Sequence, residues 1–187
     1  KSLHIGTGII AAPMSYAVDG EQFIAVMAGW GGGSMSTMEE DTAAQDFVND
    51  GRILAFKLGG GPVQLPPPAP NPDEFEQPPF IEASADTLKR GGELYQLRCG
   101  SCHGSYGMRG ILPDLRRLSP ARHTIFNQIV LDGVFSEKGM ASFRDELTRA
   151  DVAAIQAYLA NEGRKLWEAA QARKARGEPP PRESIRQ

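Results

Sequence analysis

Cys99-Gly100-Ser101-Cys102-His103 constrains this chain more than any other stretch. A C-x-x-C-H pentapeptide is the attachment signature of a c-type haem: two thiols at that spacing reach the two vinyl groups, and the adjoining imidazole reaches the iron. The competing readings of such a motif are a zinc half-site, a thioredoxin-like dithiol and a chance C-x-x-C. Zinc needs about four ligands, and the chain offers only two cysteines and three histidines, with His4 and His123 at no ligand spacing. A redox dithiol follows a strand in a βαβ unit, whereas a helical pattern precedes Cys99. The expectation is covalent haem on Cys99 and Cys102 with His103 as axial ligand.

Around that motif, residues 84–160 read as helical. Ser84 suits a helix cap with Asp86 in the first turn, and Leu88, Leu94, Tyr95 and Leu97 supply apolar positions to about Arg98. Gly91 and Gly92 fall inside this helix, where each costs roughly 1 kcal/mol relative to alanine, so close packing is expected there. Ser119-Pro120 opens a second helix running to Gly133, and a third starts at Thr148 with Val152, Ile155, Tyr158 and Leu159 at helical spacing. Met140, Met108 and His123 are the candidates for a sixth iron ligand, beside none at all. Met140 is preferred, because it sits in an interhelical loop far enough from His103 to reach the opposite haem face. His123 is expected at the surface.

The first 60 residues have a different character. Two β-rich runs flank Asp19-Gly20, a strong signal for a type I′ hairpin, and Arg52–Leu58 reads as a third strand. Three strands are too few to bury both faces of a sheet, so this part needs further strands from a longer chain or a partner. Trp30, in a glycine-rich turn, either packs beneath its loop or covers a planar ligand. Eight prolines between residues 61 and 79 mark a semi-rigid strap. After residue 161 comes a basic segment, which reads as a solvated tail, or as a helix extended over Glu162–Arg176 until Pro179-Pro180-Pro181 stops it. The division is thus 1–60 β, 61–83 proline-rich linker, 84–160 helical and 161–187 tail. A net charge of -3 argues against a broad nucleic-acid-binding role. No apolar run approaches the roughly 20 residues of a membrane span. The opening Lys1–Ile5 does not read as a signal peptide.

Two resemblances follow from these residues. Gly91, Leu94-Tyr95, Cys99-x-x-Cys102-His103-Gly104, Leu112-Pro113-Asp114-Leu115, Gly139-Met140-x-x-Phe143 and Leu147-Thr148-x-x-Asp151-Val152 resemble a class I cytochrome c over residues 84–160. The resemblance implies an all-α cytochrome domain in which Gly91 meets Tyr158, Pro113 buttresses His103, and Met140 is the second axial ligand. Residues 8–13, 23–32 and 51–60 are similar to the last strands of the eight-bladed propeller of quinohaemoprotein alcohol dehydrogenases. In that family a proline-rich strap leads to a C-terminal cytochrome domain. The propeller binds pyrroloquinoline quinone (PQQ) and calcium, and electrons pass from quinone to haem to an acceptor. The resemblance implies electron transfer from PQQ to an external redox protein or quinone, a propeller remainder as partner, a periplasmic location, and Trp30 near the quinone. The family's adjacent-cysteine disulfide, calcium ligands and catalytic aspartate have no counterpart here. The rival expectation is a freestanding carrier cytochrome with a β docking extension.

Overall fold

The computed structural model describes residues 2–29, 43–48, 50–104 and 112–181. The chain forms two compact units, Lys1–Asn71 with Pro181–Gln187, and Pro72–Pro180. Trp30 and Met108 lie outside the described residues.

In the first unit, β1 (Met14–Val18) and β2 (Glu21–Ala28) form the expected hairpin. Asp19 and Gly20 both take positive φ, 50° and 80°, the backbone that lets a two-residue turn follow the strands' twist. A short helix α1 (Ala43–Asp46) precedes β3 (Arg52–Phe56), and the antiparallel sheet runs β1-β2-β3. The pairing puts Met14, Tyr16, Val18, Phe23, Met27 and Ile53 on one face. Met14, Met27 and Ile53 are more than 60% exposed, so an apolar sheet face lies open among the described residues. The proline-rich stretch is shared between the units. Its first part joins this one: Val48 donates to the Pro67 carbonyl, Ala69 to the Asp46 carbonyl, and Arg52 to the carbonyls of Ile5 and Gln64.

The second unit is built on the crossing of α2 (Ala85–Arg98) and α6 (Arg149–Arg176). Tyr95 from α2 and Val152, Ile155 and Leu159 from α6 are fully buried there. Each such side chain contributes about 1.5–3 kcal/mol of transfer free energy. Glycine at 91 is required by close approach: a Cβ would lie 2.1 Å from the Ala154 carbonyl oxygen and 2.9 Å from Tyr158 Cβ. Ser84 caps α2, its side chain accepting from the Thr87 amide. Thr148 and Asp151 cap α6 reciprocally, and Arg90 of α2 reaches Asp151 Oδ1 at 2.5 Å.

The expected second helix is two shorter ones, α4 (Pro120–Thr124) and α5 (Phe126–Val130), with Ile125 between them out of helical geometry. Gln156 of α6 takes the His123 carbonyl at 2.6 Å, and the Ile125 amide turns to that same carbonyl, which breaks the regular ladder. After residue 161 the chain continues α6 to Arg176 rather than forming a solvated tail. That extension packs: a Cβ on Gly163 would lie 2.2 Å from the Arg116 carbonyl and 3.0 Å from Pro78 Cγ. Arg173 also grips Asp73 through two bonds of 3.0 and 2.6 Å. No helix is long and apolar enough to cross a membrane among the described residues.

Two outcomes are expected. Gly91→Ala should lower the denaturant-measured unfolding free energy by about 3 kcal/mol, while Gly51→Ala, with open space around it, should stay within about 0.5 kcal/mol. Asp151 is held down at about 2, against 3.8, by hydrogen bonds from Thr148 and Arg90. Because its folded pKa is depressed, its contribution is present above pH 4 and lost as pH falls toward 2. Asp151→Asn should flatten that limb of the stability-pH curve.

Candidate functional site

The C-x-x-C-H segment is a helical continuation of α2. Cys99 caps α2, and Gly100–His103 makes one further turn, α3, closed by Gly104 at φ 81°. The amides of Cys102 and His103 donate to the Cys99 carbonyl at 3.1 and 2.8 Å, so both thiols and the imidazole stand on one tight turn. Tyr95 fastens its far end. Its hydroxyl donates to the Gly104 carbonyl at 2.9 Å and approaches that of His103 at 3.4 Å, and burial pushes the phenol's pKa well up.

Cys99 is buried and Cys102 exposed, both as free thiols. Burial first, then the neighbouring Cys102, pushes the Cys99 thiol up to about 11, opposite to the acidified thiolate of a redox dithiol. His103 is buried, and its Nδ1 lies 3.0 Å from the Pro113 carbonyl oxygen. An Nδ1–H spent on that carbonyl leaves Nε2 as the metal-binding nitrogen in a fixed ring orientation. These donors fit a covalently held haem: two thiols for thioether formation and one imidazole oriented from behind.

The Pro113 carbonyl is placed by its buried neighbour. Asp114 accepts from the Arg116 amide at 3.0 Å, from Arg116 Nε and Nη2 at 3.0 and 2.9 Å, and from Arg117. Reading by sequence pattern missed this cluster. Its signal was the pair of arginines directly after the Leu-Pro-Asp-Leu element.

Met140 is half-buried in the loop after α5. Its amide donates to the Phe135 carbonyl at 3.2 Å, while Phe143 donates to the Val130 carbonyl at 2.8 Å and Ser142 to the Leu131 carbonyl at 2.6 Å. Gly139 before it has φ 86°. The loop is thus stapled to the end of α5 just after Met140, through Ser142 and Phe143, and closed on itself at Phe135. The Phe135 ring carries two cations, Arg122 at 4.8 Å and Lys138 at 5.4 Å from its centre.

His123 is not at the surface. It is 5% exposed and faces Phe126 across the break at Ile125, with ring centres 6.3 Å apart, while Gln156 of α6 holds its carbonyl. Neither ring nitrogen has a hydrogen-bond partner among the described residues.

Residues 86–159 match the family model described as cytochrome c oxidase, cbb3-type, subunit III. The chain is 41% identical to quinohaemoprotein alcohol dehydrogenase ADH IIB of Pseudomonas putida, over 82% of this chain and 22% of that protein. This chain is homologous to the C-terminal cytochrome part of the quinohaemoprotein alcohol dehydrogenases. It is also 33% identical to lupanine 17-hydroxylase [cytochrome c] of a Pseudomonas species, over 90% of this chain and 24% of that protein. The solved quinohaemoprotein alcohol dehydrogenase ADHIIG of Pseudomonas putida HK5 superposes with a TM-score of 0.71 at 35% identity, covering 87% of this chain and 24% of that one. The chain spans about a quarter or less of these relatives. Its helical unit is a cytochrome c domain, and its chemistry is electron transfer.

Burial lowers the pKa of His123 below 6.5. The unfolded chain therefore takes up a proton before the folded one does, and stability should fall as pH drops through about 6.5. Urea titrations from pH 8 to pH 5 should show that loss in the native chain and a flatter profile in His123→Phe.

Proposed function

We propose that this chain is the electron-exit end of a PQQ-dependent quinohaemoprotein alcohol dehydrogenase. Cys99 and Cys102 would tether haem c through thioethers, and His103, its imidazole held by Pro113, would ligate the iron. Met140 would supply a further iron ligand. The observation that carries this is the 3.0 Å contact between His103 Nδ1 and the Pro113 carbonyl, which leaves Nε2 for a metal on the same turn as the two thiols.

The haem, when bound, supplies a one-electron couple, and the chain's residues tune it. A carbonyl on Nδ1–H makes the imidazole a stronger donor, whereas a thioether ligand from Met140 would raise the potential relative to a second imidazole. Tyr95 and the α2–α6 crossing keep the motif turn rigid, which limits reorganisation when the charge changes.

In this reading residues 1–60 are the terminal strands of a β-propeller, 61–83 the linker, 84–160 the cytochrome domain and 161–187 the C-terminal segment. The open apolar face around Met14, Met27 and Ile53 supports a remainder that covers it. That remainder carries PQQ and calcium and oxidises the substrate. In this reading electrons leave to a small redox protein or a quinone, and the protein works in the periplasm, the location that haem c attachment in this family implies. The relatives' names point to different substrates, and the substrate pocket belongs to the remainder.

The test is the visible spectrum of the assembled enzyme after addition of a primary alcohol. Reduction of haem on this chain, only when the quinone-bearing remainder is present, is the expected result. Haem on a lone chain that stays oxidised with alcohol under every assembly condition would favour the carrier cytochrome instead. Met140→His should retain covalent haem while lowering the midpoint potential, read by mediated spectroelectrochemistry.

A further inference from the structure

Arg117 connects the site to a stretch that lies outside the matched cytochrome segment. Its side chain is only 13% exposed. Its Nε donates to the Pro72 carbonyl at 2.9 Å, its guanidinium lies over the Phe75 ring at 5.5 Å, and Nη1 pairs with Asp114. Pro72 is the residue at which the second unit begins. The strap is held there further by the Arg173–Asp73 pair and by Pro78, which is fully buried.

At the other end of this bridge is the Pro113 carbonyl, which meets the imidazole at Nδ1. Leu112 and Pro113 are both exposed, so burial of their own side chains does not fix the Pro113 carbonyl. Asp114 does: it follows Pro113 directly, and its side chain is 3% exposed within the two-arginine cluster. Arg117 thus contacts Asp114, Asp114 is bonded in the chain to Pro113, and the Pro113 carbonyl lies 3.0 Å from His103 Nδ1, a continuous physical path from strap to imidazole.

We propose that Arg117 is a positioning residue for electron transfer: by bridging the strap at Pro72 and Phe75 to Asp114, it holds the Pro113 carbonyl on His103 and so helps set the haem's reduction potential. This rests on the haem assignment under Proposed function. A well-placed acceptor on Nδ1–H increases the imidazole's donation and favours ferric iron. Loosening the bridge weakens that acceptor and favours ferrous iron. The strap then does more than join two units, because its engagement with Arg117 is registered at the iron's own ligand.

The experiment is a spectroelectrochemical titration of the full chain carrying Phe75→Ala or Arg117→Lys, with Phe75→Tyr as the conservative control. None of these changes the net charge, so a shift cannot come from a lost ion. Both disruptive variants should keep covalent haem and raise the midpoint potential, seen as an increase of about threefold or more in the ferrous-to-ferric ratio at fixed mediator poise. Phe75→Tyr should match the native value. The His103 Nδ1 proton should exchange faster with solvent in the ferrous form of both disruptive variants, as read by NMR. Native potentials and native exchange in both would overturn the proposal, as would a lowered potential, or a shift confined to Arg117→Lys. Should Phe75→Ala fail to accumulate, Phe75→Leu removes the ring face at similar volume and takes its place. Absence of covalent haem from the unmodified chain would instead overturn the assignment on which the proposal rests.

Discussion

The contact between Gly91 of α2 and the Ala154 carbonyl of α6 is the constraint on which the second unit depends. At a Cβ-to-oxygen separation of 2.1 Å only glycine allows the two backbones to touch. That approach brings Tyr95, Val152, Ile155 and Leu159 into one sealed layer. Tyr95 is also the residue whose hydroxyl fastens Gly104, so the crossing that forms the core simultaneously sets the motif turn. The stability of the helix pair and the geometry of the site share the same residues.

From that crossing outward, the polar groups orient what the apolar ones position. The carboxylate of Asp151 closes the start of α6 and takes Arg90 from α2. The carboxylate of Asp114, nearly sealed from water, gathers Arg116 and Arg117. A buried acid left alone would be costly, and removing one partner of such a cluster leaves an uncompensated charge. Both clusters therefore hold their loops in one arrangement, and one of those loops carries the carbonyl that faces His103.

Much of this was legible in residue order, for identifiable reasons. Asp19-Gly20 and the Ser84 and Thr148 caps are local signals, decided by backbone preferences within a few residues. The C-x-x-C-H motif is local too, and Gly91 betrayed a helix contact because its cost inside a helix demanded one. What escaped was set by distant partners. The break at Ile125 depends on Gln156 reaching the His123 carbonyl, and the buried His123 sits beside that break. The packing of α6 beyond residue 161 depends on Arg173 finding Asp73 and on Gly163 admitting the Arg116 carbonyl. Nothing in the charged composition of residues 161–176 distinguishes a packed helix from a solvated one until the strap is placed against it. Pro113 beside His103 came from family resemblance, and the Asp114 cluster that holds it became visible only with the structure.

The central claim is that this chain holds haem covalently at Cys99, Cys102 and His103, and its most direct test is the alkaline pyridine haemochrome spectrum of the denatured chain after acid-acetone extraction. The expected result is one haem per chain that resists extraction and gives the spectrum of a haem with both vinyl groups saturated, lost in Cys99→Ala/Cys102→Ala. Haem that extracts completely, or a chain assembled in a cytochrome c-maturing host that carries none, would contradict the account.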